Sequence, residues 1–123
     1  MNVLGIDIGG SGVKGAIVDI KSGELLSEKI RFPTPNKPTP KKIFDGIKSN
    51  ILDELKWDGN VGCGFPGVVK KNKIYSAANM EKKWIGLNLK KKFHKKFNLR
   101  CKAINDADAA GLSEIALNPN VVK

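Results

Sequence analysis

Four residues, Gly9-Gly10-Ser11-Gly12, separate two apolar runs at residues 3–8 and 13–20. A break so short and rich in glycine turns the chain back on itself, so the two runs pair as antiparallel strands. Lys21-Ser22-Gly23 marks a second turn, and residues 24–32 read as a third strand, which makes the front of the chain a meander. Pro33, Pro35, Pro38 and Pro40 then stiffen residues 33–40, because each ring fixes φ and holds the preceding residue extended. Beyond that connector the apolar period lengthens. Ile43, Phe44, Ile47, Ile51 and Leu55 recur at helical spacing, which predicts an amphipathic helix over 41–56. Thr39 suits its N-cap, with Pro40 at the first helical position.

Asp58-Gly59-Asn60 is a turn, and residues 61–65 form a short strand ended by Pro66-Gly67. Residues 68–75 read as a small hairpin around Lys71-Asn72, and 76–88 as a loop that carries Trp84. Leu89, Phe93 and Phe97 mark a second helix with one aromatic seam. A strand over 100–104 follows, and after Asn105-Asp106 an alanine-rich helix stops before Pro119. Strands joined through helices need parallel pairing and crossovers. The expected fold is therefore α/β: a three-strand meander followed by βαβα, one mixed sheet with helices on its faces. That order resembles the ribonuclease H-like lobe of actin, hexokinases and sugar kinases.

With 123 residues and 41% of them hydrophobic, the chain suits one domain with a real core. No run of about 18 apolar residues occurs, and the first residues lack the pattern of a secretory leader. Two cysteines, Cys63 and Cys101, are too few for a disulfide scaffold or a cysteine zinc site. A cytoplasmic protein is expected. Lys and Arg outnumber Asp and Glu by 22 to 12, a formal charge of +10 that suits an anionic partner. Only Arg31 and Arg100 are arginines, so a generally lysine-rich surface explains the same balance.

The glycine turn is the first place where chemistry gathers. Backbone N–H groups of Gly9, Gly10 and Ser11 can approach a phosphate closely where no Cβ intervenes. Ser11 adds a hydroxyl and Lys14 a positive charge. Asp7, at the end of an apolar strand, can hold a magnesium ion through water or order a phosphoryl group. A strand rather than a helix follows the turn, and no Gly-Lys-Ser/Thr ending is present, so this is neither a P-loop nor a dinucleotide fingerprint. The second place is Asn105-Asp106-Ala107-Asp108. Ligands of parallel α/β sheets sit at the carboxyl ends of strands, where a carboxylate beside helix N–H groups stays ionised. Such a group can take a proton from a sugar hydroxyl; by itself Asp106 reads better as the helix N-cap, and only its pairing with the phosphate hairpin makes it the base candidate. The Pro66-Gly67 turn can form one wall of a pocket. Asn79 and Trp84 offer an amide and an aromatic face to a sugar, with Trp84 equally suited to packing.

Asp7-Ile8-Gly9-Gly10-Ser11, Gly64-Phe65-Pro66-Gly67-Val68 and Asn105-Asp106-Ala107-Asp108 together resemble the ROK family of sugar kinases and repressors. Pro33-Thr34-Pro35 with Thr39-Pro40, Trp57-Asp58-Gly59, Ala77-Ala78-Asn79 and Lys83-Trp84-Ile85-Gly86 extend the likeness over essentially the whole chain, toward the family's polyphosphate-using glucokinases. The resemblance implies phosphorylation of the 6-hydroxyl of glucose with Mg2+ and a donor that is polyphosphate or ATP. It implies Asp106 as catalytic base, Asn79, Gly67, Asn105 and Asp106 at the sugar, and Asp7, Gly9, Gly10, Ser11 and Lys14 at the phosphoryl group and magnesium. It also implies that residues 1–123 are the N-terminal lobe of a two-lobe kinase whose full-length form is a homodimer. A second glycine-rich phosphate loop and Glu/His sugar contacts belong to the lobe that would follow.

Two other classes fit less well. A sugar-sensing repressor of the same family carries a helix-turn-helix before its first strand, and a strand that begins at residue 2 or 3 leaves no room for one. A nucleic-acid module would interleave aromatic and Arg residues, and Asp7 and Asp106 would stand in its way. The expected partners are glucose and the donor, with no nucleic acid and no membrane. Lys91, Lys92, Lys95 and Lys96 are expected on the exposed side of the second helix, as a grip on polyphosphate or simply as a solvated face.

Overall fold

Asp7 faces Lys14 and Ile8 faces Val13 where strand β1 (Asn2–Ile8) meets strand β2 (Gly12–Asp19) across the glycine turn. The computed structural model describes residues 1–77, 80–105 and 111–117. Strand β3 (Ile30–Pro33) adds to β2 antiparallel, with Lys14 opposite Arg31. Strand β4 (Val61–Phe65) lies parallel to β1, and strand β7 (Cys101–Asn105) lies parallel to β4, giving the sheet order β3-β2-β1-β4-β7. The mixed sheet is the expected one, and so is the small hairpin of β5 (Val69–Lys70) and β6 (Lys73–Ile74). Its tip is Lys71-Asn72, both in the left-handed region at φ 50° and 67°.

The third strand is shorter than the 24–32 run predicts. Leu25 makes only an isolated bridge to Val18; the Leu26 N–H still donates to the Ile17 carbonyl at 2.7 Å, but the Ile17 N–H turns to the Ser27 hydroxyl at 2.9 Å, so the ladder is interrupted there. Leu25 and Leu26 stay exposed beside it.

Both faces of the sheet are covered, which is why its central strands are apolar throughout. On one face lie α1 (Pro40–Gly46), a wider π-type segment (Ile47–Leu52), α2 (Asp53–Leu55) and α3 (Leu89–Phe97). The first three are one continuous helical stretch matching the expected 41–56. Thr39 Oγ1 accepts the Lys42 N–H, and Pro40 occupies the first turn. Ile43, Phe44, Ile47, Ile51, Phe93 and Leu89 are fully buried against Leu4, Ile6, Cys63 and Phe65. On the opposite face, α4 (Leu112–Leu117) presses Ile115 and Ala116 onto Val3, Val18 and Ile104. Cys63 and Cys101 are free thiols in the first layer, and burial, with Cys63 alongside, pushes the Cys101 thiol well up. No helix among the described residues is long and apolar enough to cross a membrane.

Candidate functional site

The turn between β1 and β2 closes with the Gly9 N–H donating to the Gly12 carbonyl at 3.0 Å. That closure fixes the register, and the register sets Lys14 opposite Asp7. Lys14 Nζ stands 3.9 Å from Asp7 Oδ2, a long ion pair, and the Asp7 side chain keeps 20% of its surface exposed. Asp7 Oδ1 is buried with no hydrogen-bond partner. Burial therefore pushes the Asp7 carboxyl above its ordinary value, and Lys14 pulls it only partly back. Gly10 and Ser11 are exposed at the tip of the turn.

Two residues that sequence reasoning left aside belong to this hairpin. Thr34, between Pro33 and Pro35, donates its hydroxyl to the Gly9 carbonyl at 2.6 Å, and its N–H reaches the Ser11 carbonyl at 3.4 Å. The proline connector thus braces the turn from outside the sheet. Arg31, opposite Lys14, lays its guanidinium over Gly12, where a Cβ would sit 2.7 Å from one of its nitrogens. Asp7, Lys14 and Arg31 form a row across three strands on the sheet face that α4 covers further along.

The parallel strands bring their carboxyl ends to the same edge. Asp7 pairs with Gly64, Gly64 with Ile104, and Phe65 with Asn105. Asn105 therefore lies about two strand spacings, roughly 10 Å, from Asp7. Gly67 follows on the same edge, its N–H donating to the Phe65 carbonyl at 2.9 Å. The turn there has no space for a side chain: a Cβ on Gly67 would fall 2.0 Å from the Ser76 carbonyl oxygen. Asp7, Gly9, Gly10, Ser11, Lys14, Gly67 and Asn105 are thus gathered at one end of the sheet. The expected base Asp106 and the expected sugar contact Asn79 lie outside the described residues, as does Asp108.

Trp84 is not a sugar platform. It is fully buried, its ring packs against Phe44 and Phe65, and its Nε1–H donates to the Pro38 carbonyl at 2.7 Å. It closes a short 3₁₀ turn, Lys82–Trp84, as a core residue whose buried N–H has found its acceptor. The four lysines expected on the exposed side of α3 also divide. Lys91, Lys95 and Lys96 are exposed, Lys96 standing 3.6 Å from Asp45, whereas Lys92 is half-buried and leans over the Phe44 ring.

Among the described residues no group of three His, Cys, Asp or Glu side chains could hold a metal. Asp7 alone does fit magnesium, which keeps several waters and takes one or two carboxylates plus phosphate oxygens. Its orphaned oxygen and raised pKa are what a carboxylate awaiting a cation would show.

Comparison with known proteins gives consistent relatives. A family model described as ROK family matches residues 3–120. The polyphosphate glucokinase of Mycobacterium tuberculosis is 40% identical over 112 residues, covering 90% of this chain and 42% of that protein. The glucokinase of Streptomyces coelicolor is 33% identical over 117 residues, covering 90% of this chain and 34% of that protein. Among solved structures, the inorganic polyphosphate/ATP-glucomannokinase of Arthrobacter sp. strain KM superimposes with a TM-score of 0.83 at 36% identity, covering 98% of this chain and 50% of that one. A glucokinase from Streptomyces griseus in complex with glucose and AMPPNP gives 0.74 at 30% identity, covering 87% and 34%. The chain spans half or less of the length of each of these relatives.

Proposed function

The chain belongs to the ROK family, and from that premise we propose that it is the N-terminal lobe of a kinase that phosphorylates glucose at its 6-hydroxyl. The observation that carries this reading is the hairpin itself. An orphaned carboxylate oxygen, a lysine ammonium and a glycine turn meet at the same sheet edge as Asn105. Relatives named for polyphosphate, and for polyphosphate with ATP, support either as the donor.

Phosphoryl transfer asks a protein mainly for positioning and for charge where the equatorial oxygens gain it. Lys14 and the N–H groups of Gly10 and Ser11 supply that charge at the transferring group, with Gly9 shaping the turn. Thr34 holds the turn in its closed shape. Magnesium, held through Asp7, would neutralise donor phosphate oxygens. Asn79, Gly67 and Asn105 orient the sugar. Asp106 accepts the 6-hydroxyl proton as the oxygen attacks phosphorus, which leaves glucose 6-phosphate and the shortened donor. The remaining sugar and donor contacts come from a second lobe, because reaction requires reacting atoms held about 3 to 3.5 Å apart in a site closed to water.

The test compares the 123-residue chain alone with the chain joined to the C-terminal remainder of the M. tuberculosis relative, each given glucose, magnesium and polyphosphate or ATP. The joined protein is expected to form glucose 6-phosphate and the lone chain to form none. In the joined protein Asp106→Asn is expected to lower kcat by about 10² or more with glucose binding retained. Near-normal turnover in that variant removes Asp106 as the base. Turnover of roughly 1 s⁻¹ by the lone chain overturns the one-lobe reading.

A further inference from the structure

Arg31 ends the row of charges that starts at Asp7. Lys14 pairs with Asp7 on one side and with Arg31 on the other, so the three stand on neighbouring strands β1, β2 and β3. Two strand spacings, about 10 Å, separate Arg31 from Asp7. Asn105 lies about as far from Asp7 in the opposite direction, because the sheet runs β3-β2-β1-β4-β7. Arg31 is exposed, and no ion pair or hydrogen bond among the described residues occupies its guanidinium.

The guanidinium nevertheless has a seat. A Cβ on Gly12 would fall 2.7 Å from its Nη2 and 2.8 Å from both its Cζ and its Nε, so only a residue without a side chain admits it there. Gly12 pairs with Pro33, and Thr34 fastens the end of β3 to the turn through the Gly9 and Ser11 carbonyls. The backbone that carries Arg31 is therefore fixed relative to the phosphate turn. Arg31 is also one of only two arginines among 22 basic residues. A planar fork can lie over Gly12 and still present N–H groups to two phosphate oxygens at once, which an ammonium cannot.

Phosphorus is attacked with the incoming and leaving oxygens roughly in line. On the kinase reading the sugar sits on the β7 side of Asp7, so the leaving group departs on the β3 side. We propose that Arg31 grips the leaving phosphate, the unit next to the one transferred, and stabilises the charge it gains. The bond from phosphorus to the sugar oxygen forms and the bond to the bridging oxygen breaks. That electron pair stays on the leaving phosphate beside Arg31, while the sugar proton goes to Asp106. The proposal rests on the kinase reading above and adds a residue to it. ATP and polyphosphate both carry a phosphate at this place, so Arg31 serves either donor alike.

Kinetics and binding test it separately. In the joined protein Arg31→Gln is expected to lower kcat at least tenfold with ATP and with polyphosphate alike, and to leave the KM for glucose within twofold. Arg31→Ala is expected to regain part of its kcat when millimolar guanidinium chloride is added, and less with methylammonium chloride. A residue that merely braced the hairpin would show no such rescue. In the 123-residue chain, calorimetry with magnesium and pyrophosphate, the stand-in for the leaving phosphates, is expected to show Arg31→Gln binding at least fivefold more weakly. Lys21→Gln, at the far turn of the same sheet, is expected to match the wild type. An active joined protein whose kcat survives Arg31→Gln overturns the proposal. So does pyrophosphate that binds Arg31→Gln as well as wild type, or that Lys21→Gln weakens equally. A joined protein inactive with every donor refutes the kinase reading itself, and pyrophosphate affinity then decides whether Arg31 is a phosphate contact.

Discussion

Asp7→Asn is expected to stabilise the chain while removing the carboxylate proposed to hold magnesium. The carboxylate is mostly buried, and its Oδ1 has no donor. Asn leaves a polar group at the same place but removes the extra cost of desolvating a charge there, about 1–2 kcal/mol. The partner that offsets this is Lys14 at 3.9 Å with 40% of its side chain exposed, a pair worth a few tenths to about 1 kcal/mol. Desolvation outweighs Lys14 in raising the Asp7 pKa, so the balance is unfavourable to the ionised side chain. Removing the charge then gains about 1 kcal/mol, which for a domain of this size raises Tm by about 4 °C. The gain depends on pH. Because the folded chain favours the protonated carboxyl, the penalty is fully present above the raised folded pKa. It fades as pH falls and is gone below the unfolded value near 3.8. Thermal unfolding of both proteins at pH 7 and pH 3.5 measures the difference, and added magnesium is expected to raise Tm of the wild type only. A variant that melts lower than wild type at pH 7, or by the same margin at both pH values, refutes the argument from desolvation.

The placement of Asp7 opposite Lys14 was legible because a four-residue closed turn fixes the register of everything behind it. Thr39 and Pro40 were legible for a similar reason, since a helix start is decided within one turn of chain. Thr34 and Arg31 were not. Thr34 meets Gly9 across 25 positions, and nothing in local pattern encodes that approach, though a threonine held between two prolines just past a strand was an available signal. The burial of Trp84 was equally silent, because a loop has no period and its partners Phe44 and Phe65 come from a helix and a strand. The late start of the third strand goes with one hydroxyl, Ser27, which takes the Ile17 N–H and which propensity does not weigh. Helix α4 shows how packing then reaches the site. Its Leu112 carbonyl lies over Gly5, while Ile115 and Ala116 lie over Val3 and Val18. The helix therefore runs back along β1 with its first residues toward the end that carries Asp7.

Gly67→Ala places a Cβ 2.0 Å from the Ser76 carbonyl, a backbone atom that cannot yield without moving the hairpin. A loss of about 3 kcal/mol and a Tm lower by about 10 °C are expected. Gly10→Ala, with nothing within 4 Å of its new Cβ, serves as the neutral comparison, and similar melting of the two refutes the steric reading. Gly5→Ala tests the seat of α4 and its link to the site. The new Cβ would lie 2.8 Å from the Leu112 carbonyl oxygen, so strand or helix must give way, at about 1–3 kcal/mol. Because Gly5 lies two residues before Asp7 on β1, a shift of the strand under α4 also moves that carboxylate. In the joined protein, assayed well below its Tm, kcat is expected to fall at least fivefold although the fold remains fully populated. Unchanged melting would show that α4 has slack over Gly5. Lower melting with unchanged kcat would show that the seat of this helix does not set the geometry at the sheet edge.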